Sequence, residues 1–138
     1  MRNDKPNVIV EKTIHFSLTI IEYCEQLETD KKFVIARQLL RSSTSIGANV
    51  FEAQNEESKA DFIHKMKIAA KEASESLYWL TLCKKSKNYR FNDIMIGNLN
   101  EIIKILSRII SSVKGSIHGF MWAFLYAFSN FQIFKLTH

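Results

Sequence analysis

The sequence predicts an all-α protein, an antiparallel up-down-up-down four-helix bundle with an extra aromatic, helical C-terminal segment. Three observations predict this fold. The 138 residues include one proline and four glycines, so few positions break a helix. Apolar residues make up 46% of the chain, which suits one compact domain with a real core. Apolar positions also recur at steps of three and four in four successive segments joined by short polar links.

The first segment, residues 10–28, has a wide apolar face. One stripe of this face comprises Ile14, Leu18, Ile21 and Cys24, and beside it lie Phe16, Ile20, Tyr23 and Leu27. The link "TDKK" follows, in which Thr29 or Asp30 is expected to act as the N-cap of the second helix.

The second segment contains "RSSTSIGAN", residues 41–49, whose four hydroxyls and glycine would ordinarily indicate a loop. At 100° per residue, however, an apolar stripe passes through it without losing phase: Ala36, Leu39, Leu40, Ser43, Ile46, Gly47, Val50 and Ala53. A polar stripe lies opposite, comprising Gln38, Ser42, Ser45, Asn49, Glu52 and Glu56. One helix over residues 31–55 is therefore predicted, with Ser43 and Gly47 allowing a close approach to the alanine-rich third helix.

Two further seams complete the bundle. Ser58 and Asp61 resemble a capping box that opens the third helix. Its seam comprises Phe62, Met66, Ala69, Ala73, Ser76, Leu80 and Cys83. After the turn "KKSKNYRFND", the fourth seam comprises Leu99, Ile102, Leu106, Ile109 and Val113, with Gly115 at the position of a glycine cap.

Motifs for catalysis or for cofactor binding are absent from the sequence. "RSSTSIGAN" lacks the second glycine and the lysine of a phosphate-binding loop. Asp61 and His64 have the spacing of a shared metal site, and Glu72 and Glu75 follow, but no second Glu-x-x-His exists, so no metal is expected. His15, His118 and His138 accompany no nucleophile motif. We expect a protein that is not an enzyme and has no cofactor.

Residues 39–82, "LLRSSTSIGANVFEAQNEESKADFIHKMKIAAKEASESLYWLTL", resemble the signature of the 23S rRNA intervening-sequence protein family. The hydroxyl-rich helix is followed there by "SKADF" and a helix ending in Tyr-Trp-Leu, and helices one and four agree more loosely. The resemblance implies a left-handed four-helix bundle, generally a ring-shaped pentamer, with no established enzymatic activity. It also implies similarity to the accessory protein of diversity-generating retroelements, a pentamer that binds nucleic acid and a reverse transcriptase.

Two groups of polar residues are candidate binding surfaces. One is a candidate subunit contact on the outward side of the second helix: Ser42, Ser45, Asn49 and Glu52 of the polar stripe, together with Arg41, a candidate partner for a carboxylate of the next subunit. The formal charge of +5 includes basic residues on the third helix and the following turn, which are candidates for contacting phosphates: Lys59, Lys65, Lys67, Lys71, Lys84, Lys85, Lys87 and Arg90. Solvated surface is the alternative interpretation of both groups.

The C-terminal segment departs from the family pattern. Residues 115–138 hold seven of the sixteen aromatics. A helical stripe, Phe120, Phe124, Ala127, Phe131 and Phe134, fits better than strand alternation, and polar residues make a membrane span improbable. We expect residues 1–114 to form the bundle, and residues 115–138 to pack on it or between subunits. An interfacial membrane helix is the alternative.

Location and function follow from these expectations. The charged N-terminus does not suit a signal peptide, and the isolated Cys24 and Cys83 suit a reducing compartment, so a cytoplasmic protein is expected. The predicted function is that of a non-enzymatic homo-oligomer that binds RNA or DNA as a scaffold or accessory protein. The alternative is a structural bundle that binds another protein and no nucleic acid.

Overall fold

The computed structural model describes residues 7–112, which form four α-helices. These are α1 (Val8–Thr29), α2 (Phe33–Ala53), α3 (Lys59–Lys85) and α4 (Ile94–Ser112). Neighbouring helices run antiparallel: Asn7 before α1 donates to Gln54 after α2 at 2.7 Å, and Asp30 after α1 pairs with Arg90 before α4 at 2.9 Å. The predicted all-α four-helix bundle is confirmed. Val113, Gly115 and the aromatic segment lie outside the described residues.

The hydroxyl-rich stretch lies in the middle of α2, as its phase predicts. Ser43, Ile46 and Val50 are fully buried, while Leu40 and Gly47 are partly buried. Buried apolar neighbours offset the low helix propensity of serine, threonine and glycine. The hydroxyls also find acceptors within the helix, since Thr44 donates to the carbonyl of Leu40 at 2.7 Å.

The predicted seams of α3 and α4 are largely confirmed. Ser58 is the N-cap of α3, and its hydroxyl accepts a bond from the Asp61 backbone N–H at 3.0 Å. Six of the seven predicted α3 residues are buried, and Phe62 is half-buried. In α4, Ile109 is half-buried and the adjacent Ile110 is in the core.

Of the two apolar stripes predicted for α1, only one is buried. In the stripe of Ile14, Leu18, Ile21 and Cys24, Cys24 alone is buried and the other three residues are exposed. The neighbouring stripe forms the core instead, comprising Phe16, Ile20, Tyr23 and Leu27. Both stripes are apolar, so periodicity could not choose between them, whereas packing against α2 and α4 does.

The N-cap expected at Thr29 or Asp30 is wrong, because both residues end α1. The backbone N–H groups of Lys31 and Lys32 donate to the carbonyls of Glu28 and Leu27, at 2.9 and 2.8 Å. This is the Schellman arrangement, which requires a left-handed residue, and Lys31 adopts it with φ of 62°. Lys32 is then the residue that precedes α2, and its side chain makes no capping bond.

Candidate nucleic-acid interface

The two links at one end of the bundle bring basic residues together. Lys32, from the link between α1 and α2, lies with its Nζ 5.1 Å from the ring centre of Tyr89, in the link between α3 and α4. Arg90 pairs with Asp30 across the same gap at 2.9 Å. The Tyr23 hydroxyl of α1 donates to the Arg90 carbonyl at 2.7 Å, which anchors the second link on the bundle. We call residues 28–32 and 84–93 the basic end.

The basic end carries more positive than negative charge. Its residues include six Lys and Arg side chains and three carboxylates, Glu28, Asp30 and Asp93. Two of these carboxylates are engaged, because Arg90 pairs with Asp30 and Lys84 pairs with Asp93 at 2.5 Å. Lys31, Lys85 and Lys87 are exposed at this end. Phosphates could approach these side chains without displacing either of those two ion pairs.

Sequence reasoning missed two members of the basic end. Lys31 and Lys32 are more than fifty positions from Lys87, and only the antiparallel fold brings the two links together. The available signal was the bundle topology itself, since the first and third links of such a bundle must lie at the same end.

The other basic residues of α3, which precede Lys84, lie along the bundle and away from this end. Lys65 pairs with Glu52 of α2 at 2.7 Å, and this contact raises the pKa of Lys65. Lys59 and Lys71 are exposed, and Lys67 is partly buried. Acidic neighbours also accompany them in the sequence, so α3 offers a more balanced surface than the basic end.

The polar stripe of α2 turns out to contact α3 of the same chain. The expectation that Ser42 faces away from the core is wrong, since it is fully buried. Ser76 of α3 donates to Ser42 Oγ at 2.9 Å, and Ser43 donates to Ser76 Oγ at 3.1 Å. Ser42 in turn donates to the carbonyl of Leu39 at 3.3 Å, so each of the three hydroxyls has a partner inside the interface, where an unpaired hydroxyl would be costly.

Arg41 and Glu52, the charged residues of the candidate subunit contact, also pair with side chains of α3. Arg41 forms a hydrogen-bonded ion pair with Glu75 and lies 3.6 Å from Glu72. The bond from Arg41, followed by one from Trp79, lowers the pKa of Glu75. Glu52 accepts a hydrogen bond from Lys65 of α3. Ser45 and Asn49 are half-buried, and Asn49 Nδ2 donates to the Ser45 carbonyl within α2 at 2.8 Å. A role of these residues in subunit contact stays a prediction.

The described residues contain no cluster of three or more His, Cys, Asp and Glu side chains that could hold a metal ion. Asp61 is occupied at the start of α3, where the Ser58 hydroxyl donates to its carboxylate at 2.5 Å. Both cysteines are free and buried. Burial raises the pKa of Cys24 to about 12 and also raises the pKa of Cys83, so both remain protonated thiols at neutral pH.

Comparison with known proteins agrees with this architecture. The chain is of the four-helix bundle class, and residues 5–112 match the family model of the 23S rRNA-intervening sequence protein. A crystal structure of a protein of unknown function, from the S23 ribosomal protein family of Bacteroides thetaiotaomicron, is 39% identical, with a TM-score of 0.71. The match covers 74% of this chain and 97% of that one. No curated protein matches. The chain belongs to the 23S rRNA-intervening sequence protein family.

In residues 7–112, no helix is both long enough and apolar enough to cross a membrane.

Proposed function

We propose that this protein is a non-enzymatic, oligomeric, cytoplasmic scaffold that binds RNA or DNA through its basic end. The observation that carries the proposal is the meeting of two links, in which Lys31 and Lys32 lie beside the turn that contains Lys87 and Arg90. Lys and Arg side chains that converge on one surface attract the phosphate backbone of a nucleic acid whatever its sequence.

The backbone of Lys31 adds support. Its φ of 62° is a conformation that glycine adopts freely and that costs other residues roughly 1–2 kcal/mol. A lysine at this position places a charge at the tip of the link at some expense of stability. Residues held in unfavourable backbone conformations are frequent at functional sites.

Oligomerisation would strengthen the binding. The family resemblance implies a ring of five copies, and each copy would present one basic end. Several weak contacts on one strand combine into a much higher effective affinity. Light scattering during gel filtration measures the mass directly. If the protein is a monomer, each molecule carries one basic end and therefore one weak binding site.

The test is binding of fluorescently labelled RNA and DNA across a salt series. A double variant, Lys31→Gly with Lys87→Gln, removes two charges, and glycine at position 31 relieves the backbone. The matched control, Lys104→Gln with Arg108→Gln, removes two exposed charges from α4. We expect the first variant to bind about tenfold or more weakly, with a shallower salt dependence, and the control to bind like the wild type.

Two outcomes would overturn the proposal. One is absence of binding by the wild type at low salt. The other is an equal loss in both variants, which would mean that net charge matters and the basic end does not.

A structural bundle that binds another protein and no nucleic acid is the second candidate. Ion pairing favours it, because Lys65, Lys84 and Arg90 are each paired with a carboxylate of the same chain. A protein partner retained in a pull-down at salt concentrations where nucleic-acid binding is absent would support this candidate.

A further inference from the structure

An apolar groove runs along the outer surface between α1 and α2. Ile14 and Leu18 form one wall, and Ala48 and Phe51 form the other. The floor is low because Gly47 has no side chain, and a Cβ built there would lie 3.5 Å from Ser17 Oγ. Three of the wall residues are large, and their side chains are exposed to 48% (Ile14), 56% (Leu18) and 60% (Phe51). Three such side chains around one depression form a contiguous patch, which indicates a docking surface more strongly than scattered exposed residues do.

The chain itself has a segment that needs such a surface. Residues 113–138 contain seven aromatics, two lysines and no acidic residue. An aromatic-rich segment gains free energy when it is removed from water, roughly 25 cal/mol per Å² of apolar area. The family model matches residues 5–112 and thus ends where this segment begins. The segment therefore lies outside the domain that the family shares. If it covers the groove, this contact is a feature of this chain and not of the family domain.

The point where the described chain ends makes the groove accessible to that segment. Ser112 ends α4 at the end of the bundle where α1 begins and α2 finishes. The pair Asp30–Arg90 shows that α4 runs antiparallel to α1, and the bond from Asn7 to Gln54 shows the same for α1 and α2. Phe51 lies in the last turn of α2, so the groove opens at this same end. Packed helix axes are about 8–10 Å apart, and residues 113–119 could span roughly 20 Å if extended. They are long enough to pass the start of α1 before the first aromatic, Phe120.

We propose that residues 113–138 dock in the α1–α2 groove of their own chain, with aromatic side chains against Ile14, Leu18 and Phe51. Docking explains why the stripe of α1 that faces away from the core is apolar. It also assigns a purpose to Ala48, whose short side chain leaves room for large side chains of the segment.

Tryptophan fluorescence tests the proposal in the full chain. The protein has two tryptophans, and Trp79→Phe leaves Trp122 of the segment as the only one. Docked Trp122 is shielded from acrylamide. In this background Leu18→Glu places a charge in the groove and should raise the quenching constant severalfold. The control Ile94→Glu, at an exposed apolar residue of α4, should leave it unchanged. Equal quenching in the parent and in both variants would overturn the proposal.

Photo-crosslinking identifies the occupant. Leu18 is replaced by benzoylphenylalanine, and proteins labelled with ¹⁴N and ¹⁵N are mixed, unfolded in urea and refolded together before irradiation, so that any oligomer contains both isotopes. We expect adducts between position 18 and residues 113–138 within one isotopic species. Adducts that join the two species would mean that another copy fills the groove, and adducts only within residues 7–112 would mean that the segment lies elsewhere. Either result would overturn the proposal. Circular dichroism confirms that each variant is folded.

Discussion

The α2–α3 pair and the α1–α4 pair contribute to the same core with different side chains. Buried residues of α4 are all large, from Met95 to Ile110, and α1 adds Phe16, Ile20 and Leu27. The buried residues of α2 and α3 include five alanines and three serines: Ala36, Ala53, Ala69, Ala70, Ala73, Ser42, Ser43 and Ser76. Small residues allow helices to pack closely and bring hydroxyls within bonding distance, whereas large ones fill the space between helices.

The contrast separates two sources of stability. In the α1–α4 pair, each core side chain contributes mainly through the apolar area it removes from water. In the α2–α3 pair, about half of the buried residues are alanine or serine. These residues remove little apolar area from water, so for them the close fit and the hydrogen bonds of the three serines matter more. The first pair should therefore be sensitive to removal of atoms, and the second to addition of atoms and to loss of single hydroxyls.

The largest expected effect is Phe16→Ala. Phe16 is fully buried in the large-residue half, and the substitution leaves a cavity. We expect a loss of about 3–5 kcal/mol in the free energy of unfolding, measured by urea denaturation. Val34→Ala, at an exposed apolar residue of α2, is the control and should change stability by less than about 0.5 kcal/mol. If Phe16→Ala lowers the free energy of unfolding as little as the control does, large side chains do not stabilise the α1–α4 pair in the way we infer.

Ala73→Leu tests the opposite half by adding atoms. Ala73 is fully buried in α3, and three more carbons there must push α3 away from its neighbours. Overpacking should cost about 1–3 kcal/mol, again measured by urea denaturation. Ala60→Leu is the same substitution at an exposed position of α3 and should be nearly neutral. Stabilisation by Ala73→Leu would indicate unfilled space where we infer close packing.

The serine cluster should respond to a single hydroxyl. Ser76→Ala removes the acceptor of the buried Ser43 hydroxyl and leaves Ser42 only its bond to the Leu39 carbonyl, so we expect a loss of about 1–2 kcal/mol. Replacing all three serines by alanine removes the unsatisfied groups and should cost less than the three single losses combined. Strict additivity in this mutant series would mean that the hydroxyls act independently.

The same contrast explains how much of the fold was predictable. In α2, the apolar phase continues through Ser43 to Val50, so local sequence alone identified the helix. In α1, Ile14 and Phe16 lie on two apolar stripes, and only the positions of α2 and α4 decide which one is buried. Lys31 ends α1 in a conformation that sequence patterns assign to glycine, which is why the cap was misplaced.

The candidate site was less predictable than the fold. Lys87 and Arg90 form a visible cluster in the sequence. The link with Lys31 and Lys32 is brought beside them only by two tertiary contacts, Lys32 with Tyr89 and Asp30 with Arg90. Ser42 belongs to a polar stripe in the sequence, and the partner that buries it, Ser76, is on another helix. Tertiary contacts of this kind link residues distant in sequence, and hydrophobic periodicity carries no information about them.

The smallest expected effect is at Gly47, which lies on the side of α2 that faces α1. It tests whether α2 packs as closely against α1 as against α3. The sequence suggested that Gly47 lets α3 approach, but Gly47 contacts Thr13 and Ser17 of α1. A Cβ there would meet Thr13 Cβ and Ser17 Oγ at 3.5 Å, an ordinary van der Waals distance. Gly47→Ala should therefore raise the free energy of unfolding by about 0.5–1 kcal/mol. Gly97→Ala, which meets nothing within 4 Å, should give a similar gain. A loss at position 47 alongside a gain at position 97 would show that α1 approaches α2 as closely as α3 does, and that close packing belongs to both sides of α2.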